Sequence, residues 1–183
     1  MAELALRPFI RDQLVLVEPW FLDAETNRWL GGPDWPRLVL DRADRPLGEF
    51  RGAVETGRYR WLAWGEDRPV GYIDCGTYDR WTTWEGGSRG RGVIETIGVP
   101  SGSIAYLVDP NLRRRGYCTA MIRLLLTLPD LAHIELFAAG VEPDNVGSVR
   151  ALVNAGFHPL DPNPDFEGVV YHVWRRRHPS PGP

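Results

Sequence analysis

The stretch DPNLRRRGYCTA, residues 109–120, sets three arginines in a row, Arg113, Arg114 and Arg115, directly ahead of a helix. The helix is signalled by Tyr117, Met121, Leu124, Leu125 and Leu128, which share one face at helical spacing, and by Pro129 at its end. A helix N-terminus carries roughly half a positive elementary charge, so cations are disfavoured there unless an anion offsets them. Gly116 has no Cβ and lets the backbone approach a ligand closely. Free N–H groups at a helix start, a glycine and arginine forks together make a phosphate or pyrophosphate site. The Walker pattern G-x-x-x-x-G-K-[ST] is absent, so the loop is not a P-loop. The competing reading is a solvated basic turn.

A second set of residues suits a cationic amine. An attacking amine must be neutral, whereas free alkyl amines titrate near the lysine value of about 10, so a nearby carboxylate is useful as a general base. Asp74, Glu85 and Glu95 are the candidates, with Asp79 close behind; each competes with the plainer reading of a solvated surface acid. Tyr78, Asp79, Trp81, Trp84 and Glu85 can form an aromatic and acidic wall around a cation with apolar sugar faces. Those tryptophans also read as core or edge residues of an ordinary domain. Cys118 follows the arginine loop, but no His or Asp/Asn pattern marks it as an activated nucleophile.

Elements to position these residues are legible along the chain. LALRPFI reads as a first strand, and RDQLVLVEPWFLDAETNRWL as a helical stretch interrupted at Pro19. WPRLVLDRAD reads as a short helix; YRWLAW and RPVGYIDCGTYD read as strands joined by the turn GEDR. Residues 80–101 form a Gly-rich connection that does not read as one regular element. SIAYLV alternates as a strand, the arginine loop and its helix follow, and HIELFAA is the next strand. DNVGSVRALVNAG reads as a helix with Val146, Val149, Leu152 and Val153 on one face, closed by Gly156, and FEGVVYHVW as a last strand. Asn145 or Asp144 suits its N-cap, with Ser148 in the first turn. Strands alternating with helices imply an α/β layer structure.

The motifs carry a family resemblance. YLVDPNLRRRGYCTAMI resembles the strand, V-x-P, R/Q-x-x-G-x-G/A loop and helix of the GCN5-related N-acetyltransferase (GNAT) family. VEPDNVGSVRALVNAGF resembles that family's second signature, an N-x-x-S helix closed by Gly-Phe. The resemblance implies the GNAT fold, a mixed and mostly antiparallel central sheet splayed in the middle with helices on both faces. It implies acetyl-CoA as cosubstrate and no metal. Its contacts map to Tyr106, Leu107, Val108, the loop Arg113, Arg114, Arg115, Gly116, Tyr117, Cys118 and Thr119, and Asn145 and Ser148, with backbone N–H groups near Val108 facing the developing oxyanion. Three positions depart from the pattern. Cys118 stands where Gly or Ala is usual, Ser103 where relatives often have an acid, and Leu152 where many have the tyrosine that protonates the leaving thiolate.

The Trp- and Glu-bearing connection and RWLGGPDWP (28–36) resemble aminoglycoside N-acetyltransferases, which implies acetyl transfer to a primary amine of an aminoglycoside-type antibiotic. Protein or ribosomal N-terminal acetyltransferases are the alternative within the family, and a non-catalytic acyl-CoA sensor the alternative outside catalysis.

Composition sets the bounds. The 183 residues suit one domain, taken as 1–178, with PSPGP at 179–183 as a disordered tail. A net charge of −3 argues against a nucleic-acid binder despite 21 basic residues, all arginine. No run approaches the roughly 20 apolar residues of a membrane span. The N-terminus lacks a signal-peptide pattern, and Cys75 and Cys118 make no disulfide framework, so a cytoplasmic setting is expected. Eight tryptophans leave aromatic surface that hints at a homodimer.

Overall fold

The structure, a computed structural model, describes residues 4–85 and 92–177. The expected tail at 179–183 and the middle of the Gly-rich connection therefore lie outside the described residues. The chain opens with β1 (Leu4–Pro8), then α1 (Leu14–Val17), α2 (Ala24–Leu30) and α3 (Trp35–Ala43), with 3-10 turns flanking α1. Pro19 sits in the second of those turns, the interruption its missing N–H imposes. Strands β2 (Glu49–Phe50), β3 (Ala53–Gly65), β4 (Arg68–Tyr78), β5 (Trp81–Glu85), β6 (Gly92–Ile97) and β7 (Ser101–Val108) follow. The chain ends with α4 (Tyr117–Leu125), β8 (Leu136–Val141), α5 (Val146–Ala155), β9 (His158–Pro159) and β10 (Val170–Arg175).

The main sheet has the order β1-β3-β4-β7-β8-β10-β9, with β2 beside β3. Every pairing is antiparallel except β7 with β8. That parallel pair is short, joining only Ser101–Ser103 to Leu136–Ala138. Past Ser103 the two strands part while each keeps its other neighbour, β4 and β10. The sheet is thus splayed in its middle, as the family resemblance implies.

Two apolar layers hold the helices. On one face Met121, Ile122 and Leu125 of α4 and Leu152 of α5 pack on Ile73 and Phe137. On the other, Val17, Phe21 and Leu40 of the N-terminal helices pack on Leu62, Tyr72 and Leu107. Each such side chain, fully buried, contributes roughly 1.5–3 kcal/mol.

Two expectations are corrected. Residues 80–101 contain a regular element: β5 and β6 form a separate two-stranded sheet, with Trp81 facing Ile97 and Thr83 facing Glu95. Its glycines hid the alternation of WTTWE. Trp81 and Ile97 pack it on Leu136, Ala138 and Val173, the face of the sheet that also carries α1–α3. In α5, Val146 and Val153 are 50% and 53% exposed, and the buried side is Ala151, Leu152 and Ala155. Small residues on that side let α5 pack closely against α4, with the two larger valines turned outward.

Candidate active site

The gap between β7 and β8 opens a cleft of about 960 Å³ through the sheet. Its walls are Ile104–Val108 of β7, Ala139–Val141 of β8, the start of α4 and the first turns of α5, with α2 closing the far side. Antiparallel strands point successive backbone groups to opposite neighbours. Asp109 N–H donates to Val70 O at 3.0 Å, so residues 105 and 107 also bond β4, and Pro100 O accepts from Leu136 N on the other side. The N–H and C=O groups of Ile104, Tyr106 and Val108 therefore turn toward β8 and, past the splay, into the cleft. Leu107 does not share that role: its backbone is used by Tyr72, and its side chain is buried among the N-terminal helices.

At the start of α4, Gly116 is the N-cap with φ +82 and no side chain caps the helix. Arg114 before it also lies in the left-handed region, at φ +64. The first N–H groups of an α-helix have no intrahelical partner, so Tyr117, Cys118 and Thr119 present donors at the cleft, whose wall they form. By contrast α5 is capped internally, with Asn145 Oδ1 accepting from Ser148 N at 3.2 Å. The plainer reading of Asn145 holds, and the residue still lines the cleft.

The three arginines separate. Arg114 lines the cleft, while Arg115 is exposed and outside its lining. Arg113 lines it too, but its guanidinium is taken: it donates to Asp23 at 2.5 Å, Glu25 at 2.8 Å and Thr26 Oγ1 at 2.8 Å. The Arg113 hydrogen bond is the main reason the Asp23 carboxyl sits below its ordinary range. On the other bank Arg28 stacks on the Trp29 ring at 4.2 Å and donates to Asp144 at 2.5 Å. Helix α2 is thus tied to both sides of the cleft. Glu25, Thr26, Trp29 and Leu30 of α2, along with Arg150, line the cleft without having been singled out as site residues. The clue to α2 lay in RWLGGPDWP, read only as an acceptor-side likeness.

Tyr106 and Ser148 meet across the cleft wall, their hydroxyl oxygens 2.7 Å apart. Thr119 Oγ1 donates to Ala151 O at 3.4 Å. Burial pushes the Cys118 thiol up to about 12, so it carries no thiolate at neutral pH.

Among the carboxylates, Asp74 stands apart. It lies on β4 opposite Ala105, a cleft residue, whose N–H donates to Asp74 Oδ1 at 3.2 Å. Tyr72 O–H donates to Oδ2 at 2.8 Å. Burial raises the Asp74 carboxyl to about 6, against the opposing pull of those two hydrogen bonds and of Arg42 and Arg60. Tyr72 itself is fully buried between Phe9 and Trp35 and titrates well above its usual value, chiefly through that burial. The alternation in GYID puts Tyr72 and Asp74 on one face, a signal the sequence did contain.

The remaining candidates fall elsewhere. Glu95 is exposed on β6, and Glu85 ends β5 with its side chain outside the described residues. Trp84 is half-buried on the same hairpin. Trp81 is spent on packing, edge-on to Tyr171 at 5.3 Å, and does not stand as a free wall. Tyr78 is buried, 8% exposed, and tilted against Phe50. Asp79 is occupied by Val54 N–H and Arg80, which hold its carboxyl below the usual range. Among the described residues no group of three or more His, Cys, Asp or Glu is placed to hold a metal ion.

Known proteins of like sequence and shape share this frame. The uncharacterized N-acetyltransferase YfmK of Bacillus subtilis (strain 168) is 24% identical over 168 residues, 89% of this chain and 90% of its own. The crystal structure of aminoglycoside acetyltransferase AAC(6')-Ib with coenzyme A aligns over 95% of both chains at TM-score 0.67 and 18% identity. Spermidine N-acetyltransferase from Vibrio cholerae, with CoA and spermine, aligns over 94% of this chain and 95% of its own at TM-score 0.63 and 11% identity. The acetyltransferase (GNAT) domain family matches residues 3–158. Because that match runs from the first strand past the end of α5, this chain belongs to the GNAT acetyltransferases.

Proposed function

We propose that the protein transfers the acetyl group of acetyl-CoA to a primary amine of a small cationic acceptor of the aminoglycoside type, with residues 1–178 acting as one domain. The residues of the cleft fit the cosubstrate. The uncapped start of α4 with Gly116 and Arg114 offers donors and charge to a pyrophosphate, and the free backbone groups of Tyr106 and Val108 match the amides of a pantetheine arm. Acetyl-CoA bound there supplies the acetyl group as an activated thioester. A backbone N–H of β7 aimed at the carbonyl oxygen favours the charge that develops on it, a contact worth about 3–4 kcal/mol in acyl transferases.

The observation that carries the reading is Asp74. A carboxyl raised to about 6 and bonded to Ala105 of the cleft wall is ionised at neutral pH, which supports its role as the base that takes a proton from an incoming ammonium. The shared fold of aminoglycoside and spermidine acetyltransferases supports a cationic acceptor. The test is thiol release from acetyl-CoA against aminoglycosides, spermidine and ribosomal N-terminal peptides. Turnover on an aminoglycoside is the expected result. Turnover only on peptides or polyamines would overturn the acceptor assignment, and acetyl-CoA binding without any turnover would favour an acyl-CoA sensor.

A further inference from the structure

An arginine and an aspartate face each other across β3 and β4 without bonding. The register sets Arg60 directly opposite Asp74, and Asp74 opposite Ala105. In the adjoining row Arg58 faces Gly76, and Gly76 faces Ser103. Alternation puts both rows on the face of the sheet where Leu62, Tyr72 and Leu107 carry the N-terminal helices. On the far side of the rows Ser103 pairs with Ala138, on which the β5–β6 hairpin packs. Between these two covered zones Asp74, Gly76, Ser103 and Ala105 are only half-buried, a floor of small side chains with one carboxylate. Ala105 belongs to the cleft wall as well, so floor and cleft meet there.

The guanidinium beside this floor has no partner. Arg58 is spent on Glu55 and on the backbone oxygens of Arg42, Arg45 and Pro46, and Arg42 on Glu55. Arg60 makes no side-chain hydrogen bond or ion pair among the described residues, and its Nε is shut off from solvent as well. Its charge is nonetheless close enough to act on both Asp74 and Tyr72. A charge withdrawn from water and left unpaired is costly. Asp74 accepts one hydrogen bond on each oxygen, from Ala105 N–H and Tyr72 O–H, and a carboxylate has about four acceptor positions. Two opposite charges held side by side, neither satisfied by the other, complement a ligand with a donor and an acceptor on neighbouring atoms. We propose that Arg60 and Asp74 form an acceptor subsite for an amine bearing an oxygen on a neighbouring carbon, with the nitrogen on Asp74 and the oxygen on Arg60. This rests on the reading of the protein as an amine acetyltransferase and narrows its acceptor to amino sugars and amino acids. Arg60 is the specificity-determining residue, because the second ammonium of a polyamine meets like charge there.

The experiment follows the Asp74 carboxyl by carbon-13 NMR at neutral pH in wild type, Arg60→Gln and Arg60→Lys, with Asp74→Asn to assign the resonance. Glucosamine, glycine, cyclohexylamine and spermidine are titrated in turn; neither acetyl-CoA nor turnover is needed. In wild type, glucosamine or glycine is expected to half-saturate at a concentration about tenfold below that of cyclohexylamine or spermidine, the value of one hydrogen bond to a charged group. Arg60→Gln is expected to bring the oxygen-bearing amines level with cyclohexylamine. Arg60→Lys, which keeps the charge without the fork, is expected to keep part of the preference. If neither glucosamine nor glycine outbinds cyclohexylamine in wild type, the proposal is overturned. A preference unchanged in Arg60→Gln, or no response to any of the amines, would overturn it equally. A response to glycine alone would support Arg60 as the partner of the oxygen and overturn the aminoglycoside reading instead. A tenfold preference in a protein that acetylates no amine sustains the subsite and tells against the transferase reading, so the two failures are separate.

Discussion

Replacing Gly116 by alanine separates backbone strain from ligand contact. At φ +82 the residue lies in the left-handed region, where a side chain costs about 1–2 kcal/mol. A Cβ built there meets nothing within 4 Å, so the protein itself offers no clash. Gly156 is the matched control. It also lies in the left-handed region, at φ +95, and its Cβ would make only ordinary contact with Trp174 at 3.6 Å. Both alanine variants should therefore lose similar stability, a fall in Tm of about 2–8 °C for a chain of this size. Only Gly116 stands at the open start of α4, where its Cβ would stand between a phosphate and the helix N–H groups. Gly116→Ala is expected to weaken acetyl-CoA about tenfold or more by calorimetry, equivalent to at least 1.4 kcal/mol, while Gly156→Ala leaves it unchanged. Equal acetyl-CoA affinity in both variants, with the expected loss of Tm, would refute the placement of the pyrophosphate at α4.

Three further outcomes are expected. With Asp74 titrating at about 6 and active only when ionised, kcat/KM should rise with pH up to about 6 and level above it; Asp74→Asn should abolish that limb and lower the plateau by roughly 10²–10⁴, as a pH–rate profile will read. Glu55, buried against Arg42 and Arg58, is held from 4.5 down to about 2, chiefly by Arg58, which corresponds to about 3 kcal/mol at neutral pH. Because its folded value is depressed, that stability is present above about 4.5 and fades as pH falls toward 2, so the urea stability of wild type and Glu55→Gln should differ at pH 7 and converge in acid. Arg113→Gln removes the ties to Asp23 and Glu25, each partly exposed and worth about 0.2–1 kcal/mol, so amide exchange in residues 24–30 should quicken while Tm moves little. Unchanged exchange there would mean that α2 does not depend on Arg113.

Local sequence determined much of this protein. The register of YLVDPNLRRRGYCTAMI fixes a strand, a glycine turn and an amphipathic helix, because period, turn residue and helix start are all short-range properties. The cap at Asn145 and the break at Pro19 are legible for the same reason. Tertiary structure decided what each charged or aromatic side chain faces. Arg113 reads like its neighbours in the run, yet carboxylates nearly ninety positions earlier hold it, a pairing that no local pattern encodes. Trp81 and Trp84 look alike in WTTWE, but only packing on β8 and β10 makes one of them an anchor. Asp74, Glu85 and Glu95 are indistinguishable as letters. What separates Asp74 is burial beside Tyr72 and Ala105, and burial exists only once β3, β4 and β7 have come together. The splay itself follows from a parallel pairing that stops after three residues, a distance relation between strands with a helix between them in sequence. Period and turn chemistry act over a few residues; desolvation and long-range ion pairs act only in the assembled fold.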